Sequence, residues 1–200
     1  MALETLVKVS NITNLSDARY CAGMGVELVG FVMDKFSDDY TPPEKLKEIK
    51  SWLAGVQIVG ETDASDYDEI AALLQSYEVD ILQISDPTLL PKINTLGKPI
   101  ILKLDAESTY LEDYLKNYNT FVEYFLIDGK ELNDFFLYHL KEYSADSAVI
   151  LGFGITPENV HQLLADTPIK GIALKGSHEI RPGYKDYEEL SDILEQLDVD

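Results

Sequence analysis

Residues 6–33 read LVKVSNITNLSDARYCAGMGVELVGFVM, and this stretch contains the unit that repeats along the chain. The apolar run LVKV predicts a buried strand, NLSDARYCAGMG at 14–25 is typical of a helix, and ELVGFVM at 27–33 predicts a second strand. Ser10 follows the first run directly. It is therefore expected at a strand's carboxyl end, where parallel α/β proteins keep their chemistry.

Similar apolar runs recur through the rest of the chain. Eight runs rich in Val, Ile and Leu begin near residues 6, 27, 55, 79, 99, 124, 148 and 169. Because most are apolar throughout, they suit parallel strands covered on both faces. Helix patterns lie between them, so the chain is expected to form one (β/α)8 barrel over residues 1–200, a TIM barrel without a second domain. An open doubly wound sheet is the competing architecture.

Two of the helix patterns carry clear start signals. PPEKLKEIKSWL begins with paired prolines and places Leu46 and Ile49 on one face. TPENVHQLLADT predicts a helix with Thr156 as N-cap and Pro157 in its first turn.

The composition excludes several classes of function. The formal net charge is −20, which disfavours binding to nucleic acid or to anionic membranes. The single cysteine, Cys21, allows no internal disulfide and fits a reducing cytoplasm. No signal peptide and no membrane span are expected from the hydropathy pattern.

Five motifs resemble phosphoribosylanthranilate isomerases. The stretch at 8–33 resembles that family's opening K-[VI]-C-G-I-T-x-x-x-D-A followed by G-A-D-x-x-G-F-[IV]-F. The other four matches are ILQIS to V-Q-L-H-G, YFLIDG to L-L-D-[TS], LGFGITPENV to [LS]-x-G-G-L-x-P-E-N-V, and IRPGYKDYEEL to P-G-x-K-D. The resemblance covers essentially the whole chain.

The resemblance implies a specific activity. The family isomerises phosphoribosylanthranilate in tryptophan biosynthesis, by an Amadori rearrangement on a (β/α)8 barrel without a cofactor. A cysteine ending the first strand acts as general base, and an aspartate ending the sixth acts as general acid. An arginine after the second strand binds the anthranilate, and glycine-rich turns hold the phosphate. A phosphorylated metabolite is thus the expected ligand, and the chain is expected to be a monomer or homodimer.

The resemblance places Ser10 and Asp128 at the two catalytic positions. A serine hydroxyl titrates far above a thiol, so Ser10 alone cannot accept the proton. Asn11 replaces the family glycine beside it. The change indicates either a site adapted to hydrogen bonding or drift after activity was lost. Asp128 is either an inherited general acid or a loop cap before Gly129.

The substrate-binding positions have also changed. After the second strand, DKFSDDYTPP places Asp38 or Asp39 where the family has its arginine. The glycine-rich segment after Asp128 is predicted to be deleted. Phe153 occupies the first of the paired glycine positions, where its side chain is expected to hinder close approach of phosphate.

Anion binding is nevertheless predicted at the last two strands. The residues expected to bind the substrate or its phosphate are Asn11, Gly154, Lys175, Gly176 and Ser177, together with backbone N–H groups near Thr156. A surface role for Lys175 is the alternative.

Further polar residues are expected at the same mouth, and any carboxylate or histidine among them is a possible substitute base. These residues are Lys8, Glu61, Gln83, Asp86, Lys103, Asp105 and His178. No cluster has metal-ligand spacing, so no metal is expected.

Two hypotheses follow from these residues. The first is a divergent isomerase of a phosphorylated sugar with weak or altered activity. The second is a non-catalytic barrel that binds a ligand or partner.

Overall fold

The chain forms a closed barrel of eight parallel strands. A computed structural model describes residues 2–176, 179–181, 184–185 and 187–199. The barrel strands are β1 (Leu6–Ser10), β2 (Leu28–Val32), β3 (Gln57–Glu61), β4 (Ile81–Ile84), β5 (Ile100–Asp105), β6 (Tyr124–Asp128), β7 (Val149–Leu151) and β8 (Gly171–Lys175). Each strand pairs with its sequence neighbour, and β1 also pairs with β8. The predicted (β/α)8 barrel is therefore confirmed, and the open sheet is ruled out.

Eight α-helices surround the barrel in the described part of the chain. They are α1 (Leu15–Gly23), α2 (Pro43–Lys50), α3 (Tyr67–Ser76), α4 (Leu90–Ile93), α5 (Leu111–Tyr118), α6 (Asp134–Asp146), α7 (Val160–Asp166) and α8 (Glu188–Gln196). Short 3₁₀ turns at Pro87–Leu89 and Asn94–Leu96 flank α4. Both Leu46 and Ile49 on α2 are buried, as their spacing predicts.

Helix starts follow from side-chain capping at several βα connections. The Asn14 side chain accepts a hydrogen bond from the Asp17 N–H and starts α1. Asp66 accepts from two backbone N–H groups at the start of α3. Asn133 caps α6 in the same way. Each cap satisfies donors that the first helical turn would leave unpaired.

Two sequence predictions of local structure were wrong or incomplete. Helix α7 begins at Val160, so Thr156 is not its N-cap. Thr156 instead accepts backbone hydrogen bonds from Asn159 and Val160 in a preceding turn. An antiparallel pair, β9 (Glu179–Arg181) with β10 (Tyr184–Lys185), follows β8 and was not predicted.

Side chains on the strands point alternately into the barrel and toward the helices, and they form two separate apolar cores. One set of side chains faces into the barrel: Leu28, Val59, Ile81, Ile101, Leu126, Ile150 and Ala173. The alternate residues form a larger core between the strands and the helices. Because side chains alternate with period two, the residue two places beyond each inner residue also faces inward. Inner positions nearest the carboxyl ends therefore line the mouth.

A partly buried hydrogen bond joins Tyr187, the residue before α8, to the first helix. The Tyr187 hydroxyl donates to the Asp17 carboxylate, and Asp17 is almost fully buried. Burial, and next the hydrogen bond to Asp17, raises the pKa of Tyr187 above its ordinary value. The phenol therefore remains a donor throughout the working pH range.

We expect Tyr187→Phe to lower the free energy of unfolding by about 1–3 kcal/mol, because a buried carboxylate loses a donor. Urea denaturation at neutral pH measures this loss. Tyr138→Phe is the matched control, since Tyr138 is 65% exposed. Equal stability of the two variants would show that the Asp17 contact contributes little.

Candidate functional site at the barrel mouth

The inner positions at the carboxyl ends of the strands carry an unusual number of polar side chains. They are Lys8 and Ser10 on β1, Glu61 on β3, Gln83 on β4, Lys103 and Asp105 on β5, Asp128 on β6 and Lys175 on β8. In the register of the barrel, Ser10 lies opposite Lys175, Glu61 opposite Gln83, and Asp105 opposite Asp128. One mouth therefore holds these residues together, as predicted.

One side of the mouth is built around a fully buried lysine. Lys8 is 0% exposed, and its ammonium contacts the Glu61 carboxylate. The same Nζ lies 2.5 Å from Ser10 Oγ, and Ser10 Oγ donates to Glu61 Oε1 at 2.8 Å. One carboxylate oxygen is therefore shared by an ammonium and a hydroxyl. Both partners fix the orientation of the Ser10 side chain.

Neighbouring strands make room for this cluster. A Cβ on Gly30 would lie 2.0 Å from Glu61 Oε1 and 3.1 Å from Lys8 Nζ, so the absence of a side chain on β2 admits the pair. On the other side of Glu61, Gln83 is 7% exposed. Its Oε1 has no hydrogen-bond partner. This oxygen is an unused acceptor beside the mouth.

The opposite side of the mouth is built around Asp128. Its Oδ2 lies 3.1 Å from Lys175 Nζ and 3.5 Å from Lys103 Nζ. The carboxylate also accepts from the backbone N–H of Gly129. Because Lys175 is in register with Ser10 and bonded to Asp128, it lies between the two predicted catalytic positions.

An open cavity lies next to Asp128. Its volume is about 510 Å³, and its charged lining comes from Lys103, Asp105, Asp128, Lys130 and Lys175. A volume of this order accommodates a small metabolite. Three of the lysines of a strongly acidic chain thus meet at one cavity.

The turn after β7 uses its polar groups internally. The Thr156 N–H donates to Asn159 Oδ1 at 2.9 Å, and Asn159 Nδ2 donates to the Gly154 carbonyl at 2.8 Å. Hydrogen bonds from the Thr156 hydroxyl, and then from its own backbone N–H, lower the pKa of Glu158. An incoming anion would compete with these contacts.

Phe153 and Leu132 occupy space around the same turn. The Phe153 ring is 8% exposed and packs edge-on against Phe136 with ring centroids 5.2 Å apart. Gly154 has a φ of +69°, and a Cβ there would lie 2.4 Å from the Leu132 Cβ. Phe153 therefore packs toward the segment after β6, where the connection to α6 is only five residues (129–133).

A smaller cavity of about 230 Å³ lies between β7, β8 and α8. Its lining includes Gly152, Gly154, Lys175 and the carboxylate-bearing Glu189. Asn11 lies beside this region with a φ of 62°, the left-handed conformation that a glycine adopts without strain. The backbone geometry therefore suits the glycine that the resemblance places at this position.

The connection after β2 carries acidic and aromatic residues. Tyr40 pairs with Val32 and returns the chain to the barrel. Asp38 is exposed, Asp39 is partly exposed, and Phe36 is fully exposed in the intervening turn. Arg19, the arginine whose side chain is described, lies exposed on α1.

The family of the chain follows from comparison with known proteins. The sequence profile for N-(5'-phosphoribosyl)anthranilate (PRA) isomerase matches residues 7–196. The chain belongs to the phosphoribosylanthranilate isomerase family. The member from Petrotoga mobilis is 24% identical, with 96% of each chain covered. The member from Aquifex aeolicus is 27% identical, with 95% of this chain and 97% of that protein covered.

Solved phosphoribosylanthranilate isomerases have the same fold. The structure from Thermus thermophilus aligns with a TM-score of 0.79 at 25% identity, covering 96% of this chain and 98% of that one. The structure from Thermotoga maritima aligns with a TM-score of 0.80 at 24% identity, with the same coverage. A third, with a TM-score of 0.80 and 23% identity, was solved in complex with reduced 1-(o-carboxyphenylamino)-1-deoxyribulose 5-phosphate.

The other residues predicted at the site are Asp86, Gly176, Ser177 and His178. Asp86 caps the 3₁₀ turn after β4, where its Oδ1 accepts from the N–H and hydroxyl of Thr88. Ser177 and His178 lie outside the described residues. Gly176 donates its N–H to the Ser10 carbonyl, so it lies at the first strand's exit. The roles assigned to Ser10, Asn11, Asp128, Gly154, Lys175, Gly176 and Ser177 stay predictions.

Within residues 2–176, 179–181, 184–185 and 187–199, every helix is too short or too polar to span a lipid bilayer. No group of three or more His, Cys, Asp or Glu side chains is arranged to hold a metal ion in the same set of residues. Cys21, on α1, is buried in the core.

We expect Lys8→Met to cost about 3–5 kcal/mol of unfolding free energy, because it leaves the buried Glu61 carboxylate without its counter-ion. Urea denaturation at pH 7 is the measurement. Lys130→Met is the matched control: it breaks the exposed Lys130–Glu107 pair at 3.0 Å and should cost about 0–1 kcal/mol. If Lys8→Met lowers the free energy of unfolding no more than Lys130→Met does, water already screens the Lys8–Glu61 pair.

Proposed function

We propose that this chain is a divergent isomerase of a phosphorylated ribosyl amine, with turnover of phosphoribosylanthranilate far below that of ordinary family members. The observation that carries the proposal is the shared mouth of Ser10 and Asp128. Lys175 is in register with Ser10 and 3.1 Å from the Asp128 carboxylate. This geometry supports assigning Ser10 and Asp128 to the family's base and acid positions, with a serine at the first.

The family reaction needs two proton transfers. A general acid protonates the ribose ring oxygen as the C1–O bond breaks, which leaves an iminium ion. A general base then removes the proton from C2, and the C–H electrons form the C1–C2 double bond while the nitrogen becomes neutral. Asp128 faces the cavity in which the first transfer would occur. Lys103 and Lys175 both contact its carboxylate and hold it at the cavity wall.

Three changes support a low rate. Loss of a general base commonly costs about 10²- to 10⁴-fold in rate. The connection containing Asp38 and Asp39 offers carboxylates where an anthranilate carboxylate needs a cation. The short segment 129–133 offers few backbone donors for phosphate, and Leu132 packs directly onto Gly154.

A non-catalytic binding barrel is the second candidate. The ion pairs of Asp128 favour it, because a carboxylate shared by Lys103 and Lys175 is a stable arrangement without substrate. The charged cavity next to Asp128 would then bind a phosphorylated metabolite without converting it. Detectable turnover that Asp128→Asn abolishes would exclude this candidate.

We expect the purified chain to consume phosphoribosylanthranilate much more slowly than an ordinary family member; no turnover at all would favour the non-catalytic barrel instead. A fluorescence assay of freshly made substrate measures this. If each of the three losses costs about 2–4 kcal/mol of transition-state stabilisation, Ser10→Cys alone should restore little activity. Near-normal kcat/KM in the unmodified chain would contradict the proposal. An intact relative assayed in parallel is the control.

We also expect inorganic phosphate to bind weakly between the turns after β7 and β8. Lys175 supplies positive charge there, whereas Glu158 and Glu189 oppose the anion. In an amide NMR titration with tens of millimolar phosphate, the signals from Gly154–Asn159 and Gly176 should shift, and Lys175→Ala should weaken the shifts. Unchanged signals would count against inherited phosphate binding at this position.

A further inference from the structure

We propose that Glu61, on the third strand, supplies the negative charge and the proton acceptor that Ser10 cannot supply on the first. The claim that Glu61 supplies the negative charge rests on the geometry of the cluster alone. The catalytic part rests on the proposed isomerase function. In it Ser10 would touch the substrate, and Glu61 would act through Ser10 as a positioning residue.

The starting point is the charge balance of the buried cluster. Lys8 is completely buried, and a buried ammonium requires an anion close by. Ser10 is neutral and cannot be that anion. Glu61 Oε1 contacts both Lys8 Nζ and Ser10 Oγ, so the carboxylate neutralises the lysine from across the mouth. A thiolate at position 10 would be an alternative anion for the same lysine.

The hydrogen bonds also orient the serine for proton transfer. Ser10 Oγ accepts from Lys8 and donates its only hydrogen to Glu61. A hydroxyl oxygen has two acceptor lone pairs, so one is left over. Ser10 is partly exposed, whereas Lys8 and Glu61 are buried. The free lone pair is therefore the part of the cluster that a ligand can reach.

The proposed step conserves protons and electrons. The proton on C2 of the iminium moves to Ser10 Oγ while the serine's own proton moves to Glu61 Oε1. The C–H electron pair becomes the C1–C2 double bond, and the iminium nitrogen becomes neutral. Serine is unchanged, and Glu61 later returns the proton through Ser10. Because Lys8 loses its counter-ion while Glu61 is protonated, the step should be slow.

The charged groups around position 10 come from three strands. Lys8 lies on the same strand, Glu61 approaches from β3, and Lys175 from β8 is bonded to Asp128. Gln83, from β4, is polar but uncharged. Lys8 and Glu61 therefore dominate the field at Ser10 Oγ, and replacing Glu61 should change the protonation of a thiol placed there.

The test measures that thiol directly and needs no substrate. Ser10→Cys and Ser10→Cys/Glu61→Gln are titrated by iodoacetamide reactivity against pH. The unmodified chain gives the background, because its single cysteine is buried. With Glu61 present, the thiol should titrate above the ordinary value of about 8.5, since its thiolate would be a second anion beside one ammonium. Glu61→Gln should lower the midpoint by at least about one unit and speed alkylation about tenfold near neutral pH.

The matched control is Ser10→Cys/Glu107→Gln, which removes an exposed carboxylate bonded to Lys130 and should leave the midpoint unchanged. Equal midpoints with and without Glu61 would overturn the proposal. If Ser10→Cys/Glu61→Gln does not fold, the titration of Ser10→Cys alone tests the proposal. A thiol midpoint at or below the ordinary value of about 8.5 would then overturn it.

A turnover assay separates this inference from the proposed function. If the unmodified chain converts phosphoribosylanthranilate, Glu61→Gln should lower kcat at least about tenfold with little change in KM. An unchanged kcat would overturn the relay. If the unmodified chain shows no turnover, the proposed function fails, and the thiol titration still decides whether Glu61 is the anion at this site.

Discussion

Closure of the barrel is the constraint on which every other feature depends. With β1 paired to both β2 and β8, each strand must turn every second side chain into a narrow interior. Lower inner positions hold apolar residues such as Val59 and Ile101, which fill that space. The next inner positions toward the carboxyl ends carry charges. Closure brings these charged side chains close together, so they must form ion pairs or bind a ligand.

The charges at the mouth divide into two neutralised groups. Lys8 and Glu61 form a buried pair beside Ser10, and Asp128 is shared by Lys103 and Lys175. The first group is shielded from water and should resist disruption, whereas the second is partly exposed and can exchange a lysine for a ligand anion. The arrangement agrees with a site whose binding half is open and whose proton-transfer half is rigid.

Family membership and a changed site are compatible in this chain. The family match covers nearly the entire sequence, and the fold is that of solved isomerases. The proposed divergence concerns the side chains at the mouth. Such divergence is expected of (β/α)8 barrels, because the strand ends and connecting loops carry the chemistry while the layers below carry the stability.

The sequence by itself determined the barrel, the family and the strand-end positions of Ser10, Asp128 and Lys175, because apolar runs and the motifs beside them are local signals. It could not show that Thr156 begins a turn instead of a helix, since the turn is held by the Asn159 side chain, which accepts from the Thr156 N–H and donates to the Gly154 carbonyl. Glu61 was one candidate among several, and no spacing along the chain distinguished it. Only the tertiary structure brought it to Lys8 and Ser10, because strand register and the absence of a side chain at Gly30 decide which charges meet inside the barrel.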